Sequence, residues 1–136
     1  VYGERSMLTF RISWQDILLV IAGGALGSLM RYMVSVLTHY HTSSPFPYKT
    51  LIINVLGCLL VGFLSARFQS HAHQDLLRLF FITGFLGAFT TFSAFSMETV
   101  MLYQSGHIRT ALMNILASTV SGITAVIGGF WLGSKF

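Results

Sequence analysis

The chain has 136 residues, 54% of them hydrophobic and only 9% charged, with eight Lys and Arg against four Asp and Glu. A soluble domain carries about 25% charged residues, and a chain this short has no core of its own large enough to hide so much apolar side chain. The composition therefore excludes an ordinary soluble domain, and the net charge of +4, which reflects few acids rather than a basic cluster, argues against nucleic-acid binding.

Val1–Asp16 mixes charges with Phe10 and Trp14 and reads as an interfacial lead-in to a first helix. Val1–Ser6 reads as a processing remnant, with Met7 a candidate start, and no cleavable signal pattern is evident. Four apolar runs follow: Ile17–Met30, with a helix continuing through Arg31 to Leu37, then Thr50–Ala66, Leu79–Met97 and Thr110–Ser134. A membrane span needs about 20 residues. The runs and their flanks predict spans at 17–37, 50–68, 76–103 and 108–133, an all-α membrane protein built as one four-helix domain over 1–136. His39–Lys49, with Pro45 and Pro47, reads as a turn-rich loop, and Gln69–Asp75 and Ser105–His107 as tight connections. Gly23 with Gly27, and Gly129 with Gly133, have the four-residue spacing at which membrane helices approach closely. The single cysteine, Cys58, reads as a small packing residue, and the five histidines read as solvated surface without metal-ligand spacing.

The third run contains Thr83–Glu98, TGFLGAFTTFSAFSME, which is poor helix material. Gly84 and Gly87 each weaken a helix interior by roughly 1 kcal/mol relative to Ala. The hydroxyls of Thr90 and Thr91 compete for backbone partners. The prediction is a helix broken near 87–91. Such irregular backbone survives at membrane depth only when buried in protein or lining a wet cavity.

Several side chains have two readings. Asn54 is either an interhelical hydrogen-bonding group or a donor facing a pore. Phe92 and Phe95, three apart and so on one helical face, are either core or a pair of electropositive ring edges facing an anion, with Ser93 and Ser96 beside them. Thr110, Asn114, Ser118 and Ser121 form a polar stripe on the fourth helix, a packing seam or a hydrated track. Arg31 and Glu98 lie near span ends, where they either snorkel to the interface or mark the mouth of an ion path.

Orientation is weakly specified. In a four-span topology the tail, second loop and C-terminus carry Arg5, Arg11, Arg67, Arg78 and Lys135, against Arg31, Lys49 and Arg109 on the other side. So small a bias permits insertion both ways up, and hence an antiparallel homodimer.

The third-run motif closely resembles the signature of the Fluc (CrcB) family of small fluoride channels, at Thr83, Gly84, Phe85, Gly87, Thr90, Thr91, Phe92, Ser93, Phe95, Ser96 and Glu98. Family-like pieces also occur at Gly23–Arg31 (GGALGSLMR) and Thr50–Gly62 (TLIINVLGCLLVG), and the resemblance runs from about Ile17 to the C-terminus. It implies a passive, fluoride-selective channel in the cell membrane that exports toxic fluoride, assembled as a dual-topology homodimer with two pores. It implies an anion path along Asn54, Phe92, Ser93, Phe95, Asn114 and Ser118; Arg31 and Glu98, from their place near span ends, are the expected vestibule residues. It further implies a central structural sodium ion held by main-chain oxygens of Gly87 and Thr90 from both subunits. Two positions depart from the family's pattern: Ala94 replaces a common Thr, and Asn114 stands where Tyr or His is often found.

The competing expectation is a small dual-topology, proton-coupled multidrug exporter. That chemistry needs a membrane-buried carboxylate, and no acid follows Asp16 in the first run. No nucleophile–base pair, metal cluster or phosphate loop suggests an enzyme.

Overall fold

The computed structural model describes residues 13–39, 44–68 and 74–136, all of them in helices and short connections, with no strand among the described residues. The first helix is Trp14–His39 and the second is Tyr48–Arg67. The third span runs Gln74–Gln104, and the fourth helix is Ile108–Gly133. All four are long and apolar enough to cross a membrane.

Local chemistry sets the ends. Ser13 caps the first helix reciprocally with Asp16: the Asp16 N–H donates to Ser13 Oγ at 3.1 Å and the Ser13 N–H to Asp16 Oδ2 at 3.0 Å. The second helix begins directly after Pro47. Gly106, at φ 82°, makes the sharp turn into the fourth helix, a conformation that favours glycine. The predicted boundaries differ from these by a few residues at most. Gln74 and Asp75, expected in a loop, already belong to the third span, while 69–73 and the lead-in 1–12 lie outside the described residues.

The third span is interrupted as expected, and more heavily than expected. After one short α turn, Arg78–Leu86 winds as a π-helix, followed by an α turn at Gly87–Phe89. The break itself is two residues long. Thr90 (φ −80°, ψ 156°) and Thr91 (φ −149°, ψ 109°) are extended, and an α-helix restarts at Phe92. Gly87 itself is helical at φ −60° and ψ −34°.

Two close helix pairs hold the bundle. The second and fourth helices pack against each other most extensively. A Cβ on Gly129 would sit 2.1 Å from the Leu59 carbonyl oxygen, and one on Gly62 2.2 Å from that of Val126. The first helix packs on the leading half of the third span, where a Cβ on Gly27 would sit 2.1 Å from the Phe85 oxygen. Both small-residue pairs read from the sequence are therefore true crossing points, joined by Gly62 and Gly84. Ile53, Leu86 and Phe89 form a small core with Val34, Val61, Leu64 and Phe85 packed around it. In the most apolar stretch of each span only 6% to 22% of residues are buried, so lipid or another chain must cover the rest.

Candidate functional site

The break in the third span opens onto a groove of about 500 Å³ between the second, third and fourth spans. Asn54, Gly57, Thr90, Thr91, Phe92, Phe95 and Ser118 are among its walls. Its construction starts with unmet backbone groups. A helix that stops at membrane depth strands N–H and C=O groups with no water to take them.

Asn54 answers one such residue with both ends of its amide. Its Oδ1 accepts the Thr91 N–H at 2.8 Å, and its Nδ2 donates to the Thr91 carbonyl at 3.1 Å. The side chain thus pairs with Thr91 as a neighbouring strand would. An amide NH2 has two donors, so one Asn54 N–H remains after the Thr91 bond. The two readings of Asn54 are compatible: it ties the second helix to the break, and it lines the groove.

Thr91 also caps the restarted helix, its Oγ1 accepting from the Ala94 N–H at 3.2 Å and lying 3.1 Å from Ser93 Oγ. Thr90 closes the end of the leading half. Its N–H and its hydroxyl both donate to the Leu86 carbonyl at 3.0 Å. Its methyl fills the space above Gly57, where a Cβ would lie 2.1 Å from Thr90 Cγ2. Asn54 and Gly57, one helical turn apart, therefore form a seat for the break: the amide holds Thr91 and the missing side chain admits Thr90. The sequence carried this signal as the spacing Asn54-x-x-Gly57, whose purpose shows only once the partner backbone is in place.

The aromatic pair sits just past the break. The Phe92 and Phe95 rings lie 5.5 Å apart at 43°. Phe92 is 79% exposed, so within one chain it is not core, while Phe95 is half-buried. Ser93 is exposed beside them at the N-terminal end of the restarted helix, where the helix dipole favours an anion. Cys58 lines the same groove near Gly122.

Asn114 lies elsewhere. It is 1% exposed, buried between the trailing half of the third span and the fourth helix, and is not among the residues that line the groove. Its Nδ2 donates to Thr99 Oγ1 at 2.9 Å, and its Oδ1 accepts from Ser118 Oγ at 3.3 Å. Of the fourth-helix stripe, Ser118 reaches the groove; Ser121 bonds back to the Ala117 carbonyl. Ala94, which departs from the Thr common in the family, contributes its N–H to the Thr91 cap.

Glu98 borders a second groove, of about 430 Å³, with Lys49, Phe46, Tyr48 and Ser105. Its Oε1 accepts from Thr50 Oγ1 at 2.7 Å, and its Oε2 is buried without a hydrogen-bond partner among the described residues. Thr50 and Thr99 are the polar partners that sequence reasoning missed. Each looked like ordinary helix filler until the helices were packed. Arg31 is half-buried on the first helix and lines neither groove.

Gly87 and Thr90 were the expected sources of main-chain ligands for sodium. In an unbroken helix the Thr91 N–H would donate to the Gly87 carbonyl; here it is given to Asn54 instead. The ψ of 156° at Thr90 turns that carbonyl out of the helical row. Both oxygens thus lose their helical partners, and carbonyl oxygens suit a hard cation.

Comparison with known proteins agrees with this architecture. The sequence profile of the family described as "CrcB-like protein, Camphor Resistance (CrcB)" matches residues 18–130. A protein of Dehalococcoides mccartyi named "Fluoride-specific ion channel FluC" is 47% identical over 120 residues, covering 88% of this chain and 92% of the relative. Proteins of the same name from Paracoccus denitrificans and Agrobacterium fabrum are 46% identical over 114 residues (84% and 90% covered) and 41% over 119 (87% and 95% covered). With four apolar spans and matches along nearly its whole length, the chain is a multi-pass protein of the cell membrane and belongs to the CrcB family.

Proposed function

We propose that the protein is a passive, fluoride-selective channel that lets toxic fluoride leave the cytoplasm. The observation that carries this is the broken third span: a two-residue break seated by Asn54, with two aromatic rings and the Ser118 hydroxyl beside it on one groove, and Ser93 exposed next to the rings. Its likeness to relatives named as fluoride-specific ion channels supplies the ion.

The groove offers weak, distributed contacts rather than a fixed charge: the spare Asn54 N–H, the ring edges of Phe92 and Phe95 and the Ser118 hydroxyl, with the Ser93 hydroxyl exposed beside the rings and Asn114 behind Ser118. Conduction needs binding weak enough to release the ion at the far side. A positive ring edge contacts a small anion without trapping it. Arg31, which lines neither groove, would act at a distance by raising the local anion concentration, and Glu98 would belong to a vestibule formed by the second groove.

The working unit is an antiparallel homodimer with two pores. The weak charge bias allows both orientations, and the open groove and exposed Phe92 suit closure by a second copy. One structural sodium ion on the dimer axis would be held by the Gly87 and Thr90 carbonyls of both chains, and would neutralise oxygens that the break leaves unpaired. The protein is a channel and not an enzyme.

The rival reading, a proton-coupled multidrug exporter, lacks its carboxylate. Asp16 is tied into the first helix cap, and Glu98 sits in a separate groove from the break. Efflux from liposomes reconstituted with purified protein tests the proposal. Fluoride should leave far faster than chloride, with no need for a proton gradient. Equal chloride flux, or flux that requires a proton gradient, would overturn it.

A further inference from the structure

The hydrogen bonds behind Phe95 have a fixed direction. Their inner end is the Phe95 carbonyl, which can only accept. Thr99 Oγ1 lies 2.7 Å from it and so spends its one proton there. Thr99 can then only accept from Asn114, which places the Asn114 NH2 towards Thr99 at 2.9 Å and turns Oδ1 towards Ser118. An amide oxygen has no proton, so at the outer end Ser118 must donate to Asn114, at 3.3 Å. The relay runs Ser118 to Asn114 to Thr99 to Phe95, every proton pointing inward. At rest Ser118, the one member of the Asn114–Ser118 pair that lines the groove, turns lone pairs rather than its O–H towards that space. Lone pairs repel an anion.

We infer that Asn114 is a positioning residue for permeation: its buried amide holds the Ser118 proton away from the groove, and the anion gains that donor only by drawing it off Asn114. The inference rests on the fluoride-channel reading. The Ser118–Asn114 bond is the longest of the three, which suits a donor lent to a passing ion and then taken back. A serine permanently turned to the groove would hold the anion longer, and one permanently turned inward would not serve it.

The test is the fluoride dependence of efflux in reconstituted liposomes, read as half-saturating concentration separately from maximal rate. Asn114→Leu keeps the shape of the amide but removes the acceptor, so the Ser118 O–H is free for the groove. The half-saturating fluoride concentration should fall roughly threefold to tenfold, the worth of one released hydrogen bond. In Asn114→Leu/Ser118→Ala the fall should vanish. Thr99→Val provides a second route that keeps Asn114: without Thr99 as acceptor the amide is free to turn its NH2 to Ser118, which then accepts and releases its own proton, so the shift should have the same sign. A purely structural Asn114 would lower protein yield or maximal rate and leave the half-saturating concentration unchanged, or change it equally with and without Ser118; either result overturns the inference. If Asn114→Leu does not assemble, Thr99→Val decides, and no shift there overturns it. Absence of fluoride efflux from the unsubstituted protein is the distinct result that removes the channel reading and this inference with it.

Discussion

Replacing Asn54 by Leu removes both bonds to Thr91 at nearly constant side-chain shape. Two main-chain groups then lose their partners at membrane depth. A buried group left unsatisfied costs about 1–3 kcal/mol, so two would cost about 2–6 kcal/mol if nothing rearranged. Side-chain bonds measured within bilayers average nearer 0.6 kcal/mol, because the disrupted state finds other partners. Here one such partner is close: the Thr91 N–H can return to the Gly87 carbonyl and wind the break back into helix. That recovery puts the expected loss near the low end, about 1–3 kcal/mol. It also recaptures an oxygen assigned to sodium. Asn54→Leu should therefore lower thermal stability moderately, abolish fluoride efflux and erase any stabilisation by sodium over potassium. Asn54→Asp keeps an acceptor for the Thr91 N–H but sets an oxygen against the Thr91 carbonyl, and should fall between. The assay is thermal unfolding of the purified protein in sodium and in potassium, with efflux on the same samples. An Asn54→Leu protein that melts like the original and keeps its sodium dependence would refute the clamp.

Phe92→Ile and Phe95→Ile should each cut fluoride efflux strongly, with stability changed by about 1 kcal/mol or less, since Ile fills space but lacks an electropositive edge; normal efflux with a lowered melting temperature would return both rings to packing. Gly57→Ala should destabilise by about 1–3 kcal/mol and lose efflux, because the new Cβ lands on Thr90 Cγ2, and adding Thr90→Ser, which deletes that methyl, should restore both; a double variant no better than Gly57→Ala would show that the clash is not the cause. Labelling of the chain's tail in intact cells should find it on both faces of the membrane, and labelling on one face alone would exclude the antiparallel dimer.

The four spans were legible because lipid imposes a simple rule, long uncharged runs, and this chain has only 12 charged side chains among 136 residues, from the eight basic and four acidic ones. The break was legible for a related reason: Gly84, Gly87, Thr90 and Thr91 all disfavour a regular helix. Which of them unwinds was not. Gly87 is the weakest helix former of the final turn yet stays helical, because no neighbour competes for its backbone, whereas Thr90 and Thr91 meet Gly57 and Asn54 on the second helix. Gly84 proved to be a crossing contact, a Cβ there lying 2.9 Å from the Val20 oxygen. The π winding of Arg78–Leu86 leaves no mark in composition. Asn114 shows the same limit: the stripe of Thr110, Asn114, Ser118 and Ser121 was visible as a pattern, but only packing against Thr99 reveals that Asn114 faces inward and Ser118 the groove.

The break also links two proposals that appear separate. Unwinding two residues frees a set of polar groups; the chain itself meets the Thr91 and Ala94 donors, while Thr90 keeps its helical bond to Leu86. The Thr91 N–H goes to Asn54, the Ala94 N–H to Thr91 Oγ1, and the Thr90 N–H and hydroxyl to Leu86. The Gly87 and Thr90 carbonyls are met by none of these. Main-chain oxygens at membrane depth are costly without a partner, and a partner from outside the chain, either a cation or donors from a second copy, would meet them. A cation shared between two chains meets both sets at once and needs no added side chain, which fits a polypeptide with no cluster of acidic, histidine or cysteine ligands among its described residues. The proposed dimer and the proposed sodium ion would thus be two parts of one answer to the same oxygens. A dimer whose stability is indifferent to sodium would have to meet those oxygens through hydrogen-bond donors across its interface.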